Sequence, residues 1–307
     1  MRSSVATDLS SNVKFVNQKV EATARRVRKV FASLPLLGYL GQDELRDYSY
    51  HERLIFQALQ GIDQKVSNGL LVPVETKDYP KVLRYPDGKA RVGIYIGSFD
   101  PFQLTHLTIA LKVLASPRFL ADVVIVVPEG SLEPRKPQKT DYAFRFQIAK
   151  MQLSGVFDPF VMPLDIGAGA DTIEIVRRFI ALHTGMKLEL THILGSDALP
   201  TASNFIEKDL EIWKKEALQS GVEYSHSVYV VRRQRRGNLQ PWLSHIRNQG
   251  VPVYLDPRVI GTPSSTTFRK DRAITLILPT ENIREKLEVL FRYNMNRPWS
   301  KDGLPKP

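Results

Sequence analysis

The 307-residue sequence contains no cysteine, which excludes disulfides, thiolate catalysis and cysteine-ligated zinc together. No apolar run approaches the roughly 20 residues that a membrane-spanning helix needs, so we expect no membrane span. Acidic residues are scarcer than basic ones, 32 against 43, and the net charge of +11 favours anionic partners. Because cysteine is absent and the rest of the composition is that of a globular protein, we expect a cytoplasmic location.

Residues 1–88 differ in pattern from the rest of the chain. Apolar residues recur there at three- and four-residue steps in two stretches, which predicts two amphipathic helices. The residues are Val13, Val16, Val20, Ala24, Val27, Phe31 and Leu34, then Leu45, Tyr48, Ile55, Leu59, Ile62 and Val66. We predict a helical extension with a connector over 1–88 and a separate domain over 89–307. The basic, acid-poor start leaves a targeting peptide open as an alternative.

From residue 89 onward, strand and helix patterns alternate. The predicted strands are Val92–Ile96, Val123–Val127, Phe160–Pro163, Leu188–Leu194, Val228–Val231 and Val251–Leu255. The predicted helices lie around 105–115, 141–153, 171–183, 205–219 and 280–293. This alternation predicts an α/β fold with a doubly wound, mostly parallel sheet that binds ligands at the carboxyl ends of its strands.

Two stretches are suited to binding phosphate. In Gly97–Ser98–Phe99–Asp100–Pro101 a strand ends at a glycine turn, and the next helix offers free N–H groups. In Pro263–Ser264–Ser265–Thr266–Thr267–Phe268–Arg269, hydroxyl groups precede a guanidinium at another predicted helix start. Taken singly, the first stretch is also consistent with an ordinary tight turn, and the second with an ordinary capped helix.

Together the two stretches resemble the nucleotidyltransferase superfamily, whose signatures are G-[ST]-F-x-P-x-H-x-G-H and S-[ST]-T-x-x-R. The closest resemblance is to the bacterial nicotinate-nucleotide adenylyltransferases, and it covers about residues 90–293. Further matching stretches occur in the same order. They are Val127–Pro128 with Arg135–Lys136, then Arg145, Ala170–Glu174, Ile193–Leu199 and Trp213.

The resemblance implies transfer of AMP from ATP, with Mg²⁺ on the triphosphate, to a phosphorylated small-molecule acceptor, most simply a pyridine mononucleotide. Nucleic acid is not an expected partner. In this role His106 would donate to the α-phosphate, and Gln103 would lie near the departing pyrophosphate.

The resemblance also assigns the other site residues. The nucleotide would contact Gly97, Ser98, Phe99, Gly195 and Asp197; the outer phosphates would contact Ser264, Ser265, Thr266, Arg269 and Lys136; and the acceptor would contact Thr172, Trp213 and Arg145.

The sequence departs from the family at the first histidine, which is replaced by Gln103, and at the serine and tyrosine of S-Y-T, which are replaced by Ala170 and Asp171. A glutamine cannot carry charge, and losing one charge-stabilising donor costs about 10²–10³ in rate. An aspartate beside an anionic mononucleotide is unfavourable. Two alternatives therefore stay open: a transferase with a different phosphorylated acceptor, and a nucleotide-binding protein with weak or lost transfer.

Overall fold

A computed structural model describes residues 3–33, 41–71, 88–130, 139–153, 157, 160–233, 237–257 and 260, with side chains from residue 18 onward. Its helices are α1 (Ser3–Ser33), α2 (Gln42–Ser67), α3 (Leu104–Ala115), α4 (Tyr142–Leu153), α5 (Thr172–Ala181), α6 (Leu199–Gln219) and α7 (Gln240–Asn248). Its strands are β1 (Lys89–Gly97), β2 (Val123–Pro128), β3 (Val161–Pro163), β4 (Lys187–Gly195), β5 (Glu223–Val231) and β6 (Val253–Asp256).

The six strands form one parallel sheet in the order β3-β2-β1-β4-β5-β6. The central strands are buried on both faces, which explains their nearly continuous apolar sequences, such as VVIVVP in β2. The predicted α/β doubly wound sheet is therefore confirmed. The chain order reverses between β1 and β4, where the fold leaves a crevice at the carboxyl ends of the strands.

Helices cover both faces of the sheet. One core lies between the sheet and α2, α3 and α4, and the other lies between the sheet and α5, α6 and α7. The predicted helices at 105–115, 141–153, 171–183 and 205–219 are present, although α6 begins earlier, at Leu199. The sequence patterns missed α7, because it is nine residues long and buries only Leu243 and Ile246. The predicted helix at 280–293 lies outside the described residues.

The two predicted N-terminal helices are present, and α2 packs directly on α3. The close approach of α2 to α3 depends on Gly61, where an added Cβ would lie 3.0 Å from the Cβ of Ala115. Lys65 donates to the carbonyls of Leu114 and Phe119 at 2.6 and 2.7 Å, so it caps the end of α3. In the described part of the chain, no helix combines the length and hydropathy that a membrane span requires.

Candidate functional site

The strands β1 and β4 end side by side at the switch point of the sheet, each on a glycine of the sequence motifs. At Gly195 an added Cβ would lie 2.3 Å from Oδ1 of Asp197, so only glycine lets that carboxylate fold back over the strand end. Asp197 is exposed and forms an ion pair with Arg233 at 3.3 Å. Gly97, Gly195 and Asp197 therefore lie together at this edge, as the motifs predict.

The turn after β1 has an unusual backbone. Phe99 adopts a φ of 40°, a left-handed conformation that is rare for a bulky residue. Its ring is buried and lies 5.1 Å from the ring of Tyr95 and 5.0 Å from that of His106, measured between centroids. The aromatic packing holds the turn in this conformation. Strained backbone of this kind is concentrated at functional sites in proteins.

The first turn of α3 places polar side chains in a buried environment. Gln103 is 0% exposed, and neither its amide nitrogen nor its amide oxygen has a hydrogen-bond partner among the described residues. The hydroxyl of Thr105 is buried and unpartnered in the same sense. Native proteins rarely leave such atoms unsatisfied. This helix end, at the carboxyl edge of β1, therefore has free hydrogen-bonding capacity that a ligand could use.

His106 lies beside these atoms in a defined tautomer. Its Nδ1 accepts a hydrogen bond from the backbone N–H of Gln103 at 3.1 Å, so the ring proton is on Nε2. Burial, followed by the positive charge of Arg233, holds the pKa of His106 well below its ordinary value. His106 is therefore a neutral imidazole with an Nε2–H donor, and it is not a cation.

An open cleft of about 570 Å³ lies next to this turn, between the carboxyl edge of the sheet and helices α5 and α6. It brings together five of the predicted site residues: Gly97, Ser98, Thr172, Asp197 and Trp213. Phe99, Gln103, His106, Arg145 and Gly195 do not line it. The cleft thus contains part of the predicted set, while the predicted residues on the first turn of α3 lie outside its lining.

Sequence reasoning did not identify two of the carboxylates of this cleft, Glu129 and Asp209. Glu129, Asp171 and Asp209 line it together with Asp197, and no lysine or arginine is among the described lining residues. Asp171 caps α5 by accepting from the N–H of Glu174 at 2.9 Å, and Glu129 lies 3.3 Å from the hydroxyl of Thr172. Asp209 has no hydrogen bond or ion pair with any described residue. Burial and then the charge of Asp171 raise its pKa to about 6.

Trp213 and His192 close the floor of the cleft. Trp213 is fully buried and donates from Nε1 to the carbonyl of Ile173 at 3.2 Å, so it positions the start of α5. His192 on β4 is 5% exposed and lines the cleft, and burial lowers its pKa to about 4. The sequence did contain a signal for the two lining residues Asp209 and His192. Asp209 lies four residues before Trp213 on one helix face, and His192 alternates with Leu190 and Leu194 on one strand face.

Arg145 is buried outside the cleft, and its guanidinium binds backbone carbonyls. It donates to Thr140 at 2.9 Å and to Glu129 at 2.8 Å, and it also donates to Ser98. It therefore joins the turn after β1, the end of β2 and the start of α4. Lys136, Ser264, Ser265, Thr266 and Arg269 lie outside the described residues.

Comparison with known proteins supports the resemblance of the motifs. Over 112 residues, the chain is 30% identical to a "probable nicotinate-nucleotide adenylyltransferase" of Maridesulfovibrio salexigens, a match that covers 36% of this chain and 51% of the relative. A protein of the same name from Gemmatimonas aurantiaca is 27% identical over 124 residues, covering 39% and 56%. The chain thus spans about half the length of the curated relatives it matches. The predicted similarity to nicotinate-nucleotide adenylyltransferases is confirmed.

Among solved structures, nicotinic acid mononucleotide adenylyltransferase of Plasmodium falciparum, in complexes with APC and with NaAD, shares 18% identity with this chain. The TM-scores are 0.46 and 0.48, and the match covers 67% of this chain and 96% and 97% of those chains. No family model matches the chain.

Proposed function

We propose that this protein is an adenylyltransferase that transfers AMP from ATP to a mononucleotide and releases pyrophosphate. One observation carries the proposal. At the switch point of a parallel sheet, a helix start with unpartnered polar atoms and a neutral histidine donor adjoins an open cleft large enough for a mononucleotide. Both curated relatives are named for the same reaction class.

In the proposed reaction, a phosphate oxygen of the acceptor attacks the α-phosphorus of ATP. A new P–O bond forms, the bond to the bridging oxygen breaks, and pyrophosphate leaves with that electron pair. His106 would donate from Nε2 to the α-phosphate oxygens as charge accumulates on them. No covalent intermediate with the protein is required, so the protein acts by positioning its substrates and by stabilising charge.

Mg²⁺ is part of the proposal because the triphosphate of ATP needs its charge neutralised. Among the described residues, no group of three or more histidine, aspartate or glutamate side chains could hold a metal ion. The described site therefore fits an ion that arrives bound to ATP better than an ion held permanently by the protein. Its contribution would be to reduce the charge on the departing pyrophosphate.

Pyrophosphate release by the full chain tests the proposal. ATP and CTP are each incubated with Mg²⁺ and one acceptor: nicotinate mononucleotide, nicotinamide mononucleotide or phosphopantetheine. We expect release with ATP and a pyridine mononucleotide, and loss of release in His106→Ala. The exposed His245 on α7 provides the matched control, because His245→Ala should leave the rate unchanged.

Release with phosphopantetheine alone would identify a transferase with another acceptor. ATP binding without release from any pair would identify a nucleotide-binding protein.

A further inference from the structure

Part of the cleft is lined by carboxylates, which would repel a ligand that itself carries a carboxylate. Three carboxylates, Glu129, Asp171 and Asp209, line it beside Thr172 and Trp213, on the side that the motifs assign to the acceptor. Two of them already have partners: Asp171 caps α5, and Glu129 lies 3.5 Å from Nζ of Lys139. Asp209 alone is half-buried and unpaired in the described part of the chain. A half-buried carboxylate without a partner is costly unless a ligand donates to it.

A second, independent feature of the same cleft also favours a hydrogen-bonding ligand. His192 is buried and lines the floor, and no described residue exchanges a hydrogen bond with its imidazole. A neutral imidazole offers one donor and one acceptor. The floor of the cleft therefore presents an unused donor and acceptor, while Asp209 presents an unused acceptor.

An amide complements these groups better than a carboxylate does. Its nitrogen supplies two donors and its oxygen accepts, whereas an ionised carboxylate only accepts and carries a like charge. Placing like charges together across a binding surface disfavours a ligand strongly. The pyridinium ring of a pyridine mononucleotide is positively charged, and the same carboxylates would attract it.

We propose, on the basis of the adenylyltransferase function above, that the acceptor is a pyridine mononucleotide whose ring carries a neutral carboxamide, and that Asp209 and His192 select it over the carboxylate form. Asp209 accepts from the amide nitrogen, and His192 completes the hydrogen bonds at the floor of the cleft. The curated relatives are named for the nicotinate form, so this chain differs from them in its acceptor.

Nicotinamide and nicotinate mononucleotides form a matched pair of probes, because they differ only at the ring substituent. Isothermal titration of the full chain with each, without ATP, measures the ratio of their dissociation constants. Pyrophosphate release with ATP measures the ratio of their kcat/KM values. We expect both ratios to favour the carboxamide by about tenfold or more, which corresponds to removing one like-charge contact.

Asp209→Asn keeps the shape of the side chain and removes its charge, and we expect it to reduce the preference by about tenfold. His192→Leu removes the donor and acceptor from the floor, so it should weaken binding of the carboxamide form more than that of the carboxylate form. Glu211→Gln is the control, since Glu211 is exposed two residues along α6 and does not line the cleft. It should leave the preference unchanged. Thermal unfolding confirms that each variant is folded.

The outcomes separate this inference from the proposed function. Tighter binding of the carboxamide without any pyrophosphate release supports the selectivity and refutes the transferase. Equal or tighter binding of nicotinate mononucleotide overturns the selectivity, even if transfer is rapid. Failure to bind either mononucleotide, or an Asp209→Asn preference equal to that of Glu211→Gln, also overturns it.

Discussion

Replacing Arg145 should destabilise the protein much more than an ordinary arginine substitution does. Its guanidinium is buried and donates to the carbonyls of Ser98, Glu129 and Thr140. Burial lowers its pKa, and the nearby Asp100 and Glu129 oppose that shift, so the charge is maintained by its surroundings. Arg145→Met fills a similar volume but leaves three carbonyl groups without their donor.

The magnitude follows from these contacts. Hydrogen bonds to a charged group contribute about 1.5–3 kcal/mol each, and removing one member of a buried charged set costs about 3–5 kcal/mol. We expect Arg145→Met to lower the free energy of unfolding by about 3–5 kcal/mol, a large share of a total that is typically about 5–15 kcal/mol. Arg145→Lys retains the charge but lacks the fork, so its loss should be smaller, about 1–3 kcal/mol.

Urea unfolding followed by tryptophan fluorescence measures these differences. Arg178→Met is the matched control, since Arg178 also donates to two carbonyls, those of Ile166 and Ala168, but its side chain is 40% exposed. We expect its loss to stay below about 1 kcal/mol. If Arg145→Met unfolds at the wild-type urea concentration and instead loses affinity for the acceptor, the reasoning is refuted. Arg145 would then contact the ligand, as the family resemblance implies.

Three further side chains and the N-terminal helices yield predictions of the same kind. Burial lowers the pKa of His51 to about 4. Between pH 6.5 and pH 4 the imidazole is therefore protonated in the unfolded chain but neutral in the folded one, so the free energy of unfolding falls as the pH drops. Urea titrations at pH 7 and pH 4 should show that His51→Gln loses about 3 kcal/mol less than the wild type between these two pH values. Gln103→Leu should raise the free energy of unfolding by about 1–3 kcal/mol while weakening ATP in calorimetry; a lower unfolding energy would mean that the amide is satisfied. The carboxamide preference should increase as the pH rises through about 6, where Asp209 ionises, and Asp209→Asn should abolish this increase. A chain that begins at Lys89 exposes the α3 surface that α2 covers, so we expect it to aggregate and to lose nucleotide binding. Adding residues 1–88 as a separate chain should restore that binding. A truncated chain that stays monodisperse and binds ATP unaided would contradict this prediction.

The pH effect on acceptor preference can be isolated from other titrations. Among the described residues, the ionisable groups lining the cleft besides Asp209 are Glu129, Asp171, Asp197 and His192. The pKa of His192 is about 4, so it stays neutral across the window around pH 6. The two mononucleotides carry the same phosphate, whose own titration near pH 6 cancels in their ratio. The pH-dependent change in the ratio of the two dissociation constants that is present in the wild type and absent in Asp209→Asn therefore reports the ionisation of Asp209.

The sheet was predictable from the sequence because it depends on local patterns. Buried parallel strands give continuous apolar runs, and the glycines that end β1 and β4 mark the edge of the sheet on which the cleft lies. The contact of α2 with α3 was not predictable, because it depends on Gly61 meeting Ala115 and on Lys65 reaching the end of α3 across long sequence separations. Amphipathic spacing reveals that a helix has a buried face but not which surface it covers.

Side-chain direction limited the prediction of the site in the same way. The motif brings Gln103 and His106 to the carboxyl edge of the sheet, but their burial and the neutral form of His106 arise from tertiary packing by Tyr95, Phe99 and Phe102. A histidine introduced at position 103 would meet the same buried surroundings. We therefore expect this histidine to be neutral as well. Any gain in the rate of transfer should then depend on pH less strongly than the titration of a solvent-exposed histidine would predict.

The charges that line the cleft favour one orientation of the proposed mononucleotide acceptor. The chain carries a net charge of +11, yet four carboxylates line the cleft and no lysine or arginine is among its described lining residues. A phosphate group beside Asp209 would face an unpaired carboxylate, whereas Gly97 and Ser98 lie on the turn that leads into α3, whose first N–H groups favour anions. We therefore expect a bound mononucleotide to direct its phosphate towards Gly97 and its ring substituent towards Asp209. In the proposed reaction, this orientation would direct the attacking oxygen towards the turn after β1, which leads into the helix that carries His106.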